Sequence, residues 1–273
     1  MQSIMKLTIP LIGLAFFALS GQGVAASKSD QAKEKRWEAQ IVPSLLVGEA
    51  VKLKAADVEF LGLYTENDTD KALGGVILLH GMGAHPAWPS IIDPLRMSLP
   101  ESGWHTLSLQ MPILKNEAVY KDYLPLFDEV PVRIQAGVDY LKAKGINNIV
   151  IIGHSLGNTM TTNYLATKKD PSVRAFVAIA LGPGYPKDPR TDSYTNFSKV
   201  TIPTLDIYGS SDSDRIIKNA RKRKKVAKKA GNKEYQQVKV EGANHFFTSM
   251  EDVLLQRIRG WLKKNAPGTE SKR

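Results

Sequence analysis

The chain contains no cysteine. That excludes disulfides, thiolate metal sites, a cysteine nucleophile and lipidation at an N-terminal cysteine. After its first residues it has no apolar run long enough to span a bilayer, which needs about 20 apolar residues. Internal repeats are absent, and no Pro/Gly/Ser-rich linker divides the chain. Histidine is scarce, with five in 273 residues. Acidic residues are missing from one long stretch, Arg215 to Lys233, which holds ten Lys or Arg.

What is present fits an ordinary globular protein, 42% hydrophobic and 23% charged, with a net charge of +10. The start is different. "MQSIMK", the apolar "LTIPLIGLAFFALS" and the small-residue "GQGVAA" read as a signal peptide over residues 1–26, cleaved after Ala26. Residues 27–40 are polar and charged and read as a flexible lead-in. The expectation is an exported protein, in the periplasm or the medium, with one domain over 41–265 and a disordered tail at 266–273.

Within that domain, "EAVKLKAADVEFLGLYTEN" alternates apolar and polar residues, the pattern of two half-exposed strands. "GGVILLHG", "WHTLSLQMP", "NNIVIIGHS", "VRAFVAIALGPG", "IPTLDIYGS" and "YQQVKVEGANH" follow as short β-type runs, several fully apolar. Helix-length segments lie around 88–100, 128–144, 156–168, 213–231 and 248–264. Alternation of this kind predicts an α/β fold, a mostly parallel, doubly wound sheet of about eight strands covered on both faces. The leading pair forms an antiparallel edge. Ligands of such sheets sit beyond the carboxyl ends of the strands.

Four strand ends carry chemistry. Gly153-His154-Ser155-Leu156-Gly157 is strand–G-x-S-x-G–helix, the pattern of a nucleophile elbow. A serine that merely caps the next helix needs neither glycine. Serine is a weak nucleophile without a base, and His245 in "GANHFF" follows the last strand. His80 belongs to the glycine loop, His85 and His105 come too early, and His154 points away from its neighbour Ser155. For the acid that orients the base, Asp212 and Asp214 compete just past another strand. Helix capping explains Asp214, so Asp212 is favoured; Asp188 and Asp192 rank third. Backbone N–H of Leu156 is one expected oxyanion donor, and Met82 in "HGMG" the natural second, with Gly81 the alternative. That loop lacks the Lys-Ser/Thr of a phosphate loop, and His80 and His85 without a nearby acid make a weak metal pair. No cofactor and no metal are called for.

Taken together, "LLHGMG", "IIGHSLGN", "IPTLDIYGSSD" and "EGANHFF", in this order, resemble the α/β-hydrolase superfamily over nearly the whole mature chain. "LHGMGAHPAWPSIIDPLRMSLPESGWHTLSLQMP" looks like an exported bacterial branch of it. The resemblance implies Ser155, Asp212 and His245 as a triad, with Met82 and Leu156 as oxyanion donors. No cap-sized insertion precedes Asp212. A small lid must come from "GPGYPKDPRTDSYTNFSK" and "PILKNEAVYKDYLPLFDE", whose Tyr120, Tyr123, Tyr185 and Tyr194 are candidate pocket residues.

Two functions follow. One is a serine hydrolase, esterase-like, acting on a small-molecule or polymer-linked ester, with transfer to another acceptor open to the same residues. The other is a silent envelope protein on the same fold. In that case the basic helix at 215–233 meets anionic surfaces, while its apolar Ile216, Ile217, Ala220, Ala227 and Ala230 pack inward. Nucleic acid is not an expected partner of an exported protein.

Overall fold

The computed structural model describes residues 28–268. Eight strands form one sheet: β1 (Glu49–Ala55), β2 (Val58–Thr65), β3 (Gly74–Leu79), β4 (Trp104–Leu109), β5 (Ile149–His154), β6 (Val173–Ile179), β7 (Thr204–Gly209) and β8 (Tyr235–Val240). Their spatial order is β1-β2-β4-β3-β5-β6-β7-β8. β2 pairs antiparallel with both β1 and β4, and every other pairing is parallel. The turn of the leading hairpin passes through Ala56 at φ +52°.

Period-two geometry explains the continuous apolar runs. From the central strands Ile77, Leu79, Ile149 and Ile151 face one layer, filled by Val130, Ile134, Val138 and Leu141 of α3 (Val130–Ala143) and by Met160 and Tyr164 of α4 (Leu156–Thr167). Val76, Leu78, Val150 and Ile152 face the other. There Ile92 and Leu95 of α2 (Ile92–Ser98) meet Leu254, Ile258, Trp261 and Leu262 of α8 (Glu251–Asn265). A strand buried on both faces has no polar side to show, so its sequence does not alternate.

The ends of the chain correct the domain boundaries. The expected lead-in at 27–40 is helical from Gln31: α1 (Gln31–Ile41) starts under an Asp30 cap whose carboxylate accepts from Lys33 N–H. Its charges are inward contacts. Glu34 Oε2 receives Arg133 Nη1 at 3.0 Å and is bonded by Ser29, while Lys33 Nζ donates to Leu114 O and Asn116 Oδ1. At the other end, Ala266 is buried and Asn148 Nδ2 donates to Leu73 O beside it, so the packed chain runs past the expected start of the tail at 266. The predicted signal peptide and residues 269–273 of the tail lie outside the described residues.

The expected basic helix at 215–233 is also corrected. It is two pieces, α6 (Asp214–Ile217) and α7 (Ala220–Lys229), broken at Asn219, whose side-chain amide donates to Arg215 O. Arg223 is not on the solvated face. It is fully buried, with Nε on Asp206 Oδ2 at 2.7 Å and Nη1 on Ile216 O at 2.6 Å. Asp206 Oδ2 also accepts from Tyr235 and Gln237. The predicted lid stretches are small: a 3₁₀ segment over Tyr120–Asp128, and α5 (Ser193–Phe197), capped by Asp192.

Candidate active site

Ser155 sits between the end of β5 and the start of α4 at φ +54°, ψ −116°, a conformation that side-chain-bearing residues rarely adopt. Its side chain makes no capping bond to the helix. The flanking glycines permit this turn. A Cβ on Gly153 would lie 2.8 Å from Asn158 Oδ1 and 2.9 Å from Asn158 N. One on Gly157 would strike the Leu79 carbonyl and reach His80 O at 2.9 Å, because α4 starts directly over the end of β3. Backbone strain at a residue able to act as a nucleophile is a mark of functional sites.

His245 and Asp212 meet across the ends of β7 and β8. Their loops are tied by Ser211 N–H to Ala243 O and Ser210 N–H to Val240 O, both 2.9 Å. His245 Nδ1 lies 2.9 Å from Asp212 Oδ1. A carboxylate oxygen only accepts, so Nδ1 carries the proton and Nε2 is left as the basic nitrogen. The Asp212 side chain is fully buried and also accepts from Ser213 N–H at 2.6 Å. Asp214 points to solvent and pairs with Lys218. Asp188 holds Arg190, and Asp192 caps α5.

His154 is the residue that the sequence reading left aside. It is buried at the end of β5, against the His245 loop. Its Nε2–H donates to the His245 carbonyl at 3.0 Å, and its ring lies 4.9 Å from the His245 ring. Burial, and next the charge His245 can carry, push its pKa down to about 3, so it is a neutral buttress. No local pattern marks this role, because the carbonyl it holds is 91 positions away.

His80 plays a similar part under the glycine loop. Its Nδ1–H donates to Gly81 O at 2.9 Å and its Nε2 accepts from Met111 N–H at 3.0 Å; burial again lowers its pKa to about 3. Gly81 is pressed against the elbow, where a Cβ would be 3.3 Å from Ser155 Cβ. Met82 follows with an exposed side chain, and Leu156, first residue of α4, has an N–H with no helical acceptor. His85 is elsewhere, edge-on to Trp37 and Trp88.

Ser155, Leu156 and His245 line one open cavity of about 150 Å³, walled by Ala180, Pro183 and Ile216 and bordered by Arg215. Of the four lid tyrosines only Tyr120 lines it, held by its hydroxyl on Thr159 Oγ1 at 3.1 Å. Tyr123 is buried and accepts from Leu114 N–H; Tyr194 is buried under Lys222. The arrangement holds a hydroxyl, an oriented imidazole and the orphan N–H of Leu156 around one small space, groups that acyl transfer uses.

The same architecture recurs in solved structures. The Pyrococcus furiosus esterase Pf2001 superposes with a TM-score of 0.65 at 19% identity over 80% of this chain and 91% of that one. Est1E from Butyrivibrio proteoclasticus with ferulic acid bound gives 0.63 at 16% over 79% and 99%. XC6422 from Xanthomonas campestris, described as an a/b serine hydrolase without lid, gives 0.62 at 15% over 82% and 97%. At such identities the likeness is one of fold. No curated protein matches its sequence. A sequence family described as "Protein of unknown function (DUF3530)" matches residues 22–125 and 125–264, and with nearly the whole fold inside those bounds the chain belongs to that family.

Proposed function

We propose that this protein is a serine hydrolase of carboxylic esters, working through an acyl-enzyme and needing no cofactor. The observation that carries the reading is the strained Ser155 facing the same cavity as an imidazole already oriented by a buried carboxylate. Ser155 Oγ bonds to the ester carbonyl carbon while His245 Nε2 takes its proton. Leu156 and Met82 N–H receive the developing oxyanion. The bond to the alcohol oxygen breaks as Nε2 returns that proton to it. Water then bonds to the acyl carbon, losing a proton to Nε2, and the Ser155 ester breaks as Nε2 returns that proton to Oγ, releasing the acid. Transfer to an acceptor other than water uses the same groups.

Esterases among the structural neighbours support this reading, and so does the open site with its small lid, which suits an accessible small-molecule or polymer-linked ester. The setting is the periplasm, or the medium if the protein is secreted. Intact-mass analysis after fluorophosphonate treatment tests the mechanism: one adduct on the wild type and none on Ser155→Ala. Ester turnover in that variant falls about 10⁴-fold or more. A wild-type rate in Ser155→Ala would overturn the proposal.

One observation favours a second activity. Arg221, Lys224, Lys225, Lys228, Lys229 and Lys233 are exposed, and among the described residues none is in an ion pair. This basic face suits an anionic envelope surface, either tethering the enzyme or serving a silent protein. Salt-sensitive binding to anionic vesicles, lost when these cations are neutralised, is the expected result. No binding at low salt would dismiss it.

A further inference from the structure

The cavity beside Ser155 has one fixed charge on its wall, and it is positive. Arg215 starts the chain's most basic stretch, yet it borders the Ser155 cavity instead of joining the outer face of α7. Among the described residues no acid lines that cavity and Arg215 is in no ion pair; its side chain's one hydrogen bond there is from Nη2 to the Gly184 carbonyl, at 3.1 Å. The acids nearest in sequence are already engaged, Asp212 by His245 and Asp214 by Lys218.

The carbonyl that the guanidinium bonds is itself fixed. Gly184 sits at φ +70° in a turn so tight that a Cβ would strike the Thr191 carbonyl, and its backbone bridges to Asp192. On the other side, α6 is pinned by Arg223 on Ile216 O and by Asn219 on Arg215 O. One backbone carbonyl uses only part of a guanidinium's five N–H donors, and the remainder match a planar carboxylate. Leu156, Ala180, Pro183 and Ile216 give the cavity an apolar wall, to which Thr159 and Ser213 add hydroxyls. In a space of about 150 Å³ that wall takes a short run of methylenes.

We propose that Arg215 makes this site selective for esters whose short acyl chain ends in a carboxylate. Resting on the hydrolase reading above, the inference names its substrate class. The carboxylate lies on Arg215, the methylenes on the apolar wall, and the scissile carbonyl at Ser155. A charge-assisted, bidentate contact of this kind discriminates by roughly tenfold to a hundredfold.

The test compares mono-(4-nitrophenyl) succinate and glutarate, both anionic, with neutral 4-nitrophenyl butyrate. In the wild type kcat/KM favours an anionic ester. Arg215→Gln lowers the ratio of anionic to neutral by about ten- to a hundredfold, and Arg215→Lys, keeping the charge without the fork, falls between. A wild-type preference for the neutral ester, or a ratio unmoved by Arg215→Gln, overturns the inference. Fluorophosphonate labelling run alongside separates the two failures. An adduct without charge preference sinks only the Arg215 assignment, whereas no adduct on folded protein sinks the hydrolase reading and this one with it.

Discussion

Ser155 is held by its neighbours more than by its own preferences. A non-glycine residue at φ +54° is unfavourable by order 1–3 kcal/mol unless surroundings enforce it. The enforcement comes from the crossing of β5, β3 and α4, which only glycine permits at 153 and 157. Gly157→Ala drives a methyl into the Leu79 and His80 carbonyls, backbone atoms that cannot rotate away. We expect a loss of about 3 kcal/mol or more, read as a lowered urea midpoint, together with lost fluorophosphonate labelling. An alanine variant of wild-type stability would contradict this packing. The elbow was legible in the sequence because its constraint is local: two glycines, one serine and a strand-to-helix switch within five residues. His154 was not legible, because the His245 carbonyl that it holds is 91 positions away.

Among the secondary-structure elements, α1 shows how charge misleads. "QAKEKRWEAQI" has the composition of a solvated segment, and its helix carries no apolar stripe of note. It is held by Trp37 and Ile41 against Leu61 and Leu63, and by polar contacts to distant parts: Glu34 to Arg133, Lys33 to Leu114 and Asn116, and Asp30 N–H to Ile113 O. Burial holds the Glu34 carboxyl above its ordinary range, with the Arg133 attraction working against that. Removing one partner of a buried pair costs about 3–5 kcal/mol. Glu129 still reaches Arg133 at 3.3 Å, so Glu34→Ala should fall below that, at about 2 kcal/mol. Glu34→Gln, which keeps the bonds to Ser29 and Arg133, should lose less. Urea midpoints of the two variants check the order, and equal losses would mean that the pair does not anchor α1. The split of the basic helix has the same cause. Asp206, 17 positions from Arg223, draws one cation of ten inward, and the chain breaks at Asn219 to allow it.

For the whole molecule, the two buried imidazoles at the ends of β3 and β5 set the response to acid. His80 and His154 are neutral in the fold, with pKa values pushed down to about 3 by burial. In the unfolded chain an imidazole titrates near 6.5. Between those values the unfolded state binds more protons, so stability rises with pH there. The contribution is fully present above about pH 6.5 and is lost as pH falls toward 3, by up to about 1.4 kcal/mol per pH unit for each ring. The urea midpoint should therefore drop steadily between pH 6.5 and 4, and His154→Asn should give a shallower slope. An unchanged slope would show that His154 is free to protonate in the folded protein.

What the sequence determined by itself was what short stretches can encode. The two-residue period and continuous apolar runs specified a parallel sheet buried on both faces, and the glycine spacing specified the elbow. The order of Ser, Asp and His past successive strands limited where chemistry could gather. Tertiary structure decided which candidates meet. Asp212 faces His245 while Asp214, two residues on, faces water. Tyr120 reaches the cavity and its three companions do not. Arg215 and Arg223, alike in a run of cations, go one to the cavity wall and one to the core. These outcomes depend on groups from 17 to 39 positions apart brought within hydrogen-bond range. Backbone periodicity carries no record of such pairs, because burial and charge compensation are settled only when the layers close.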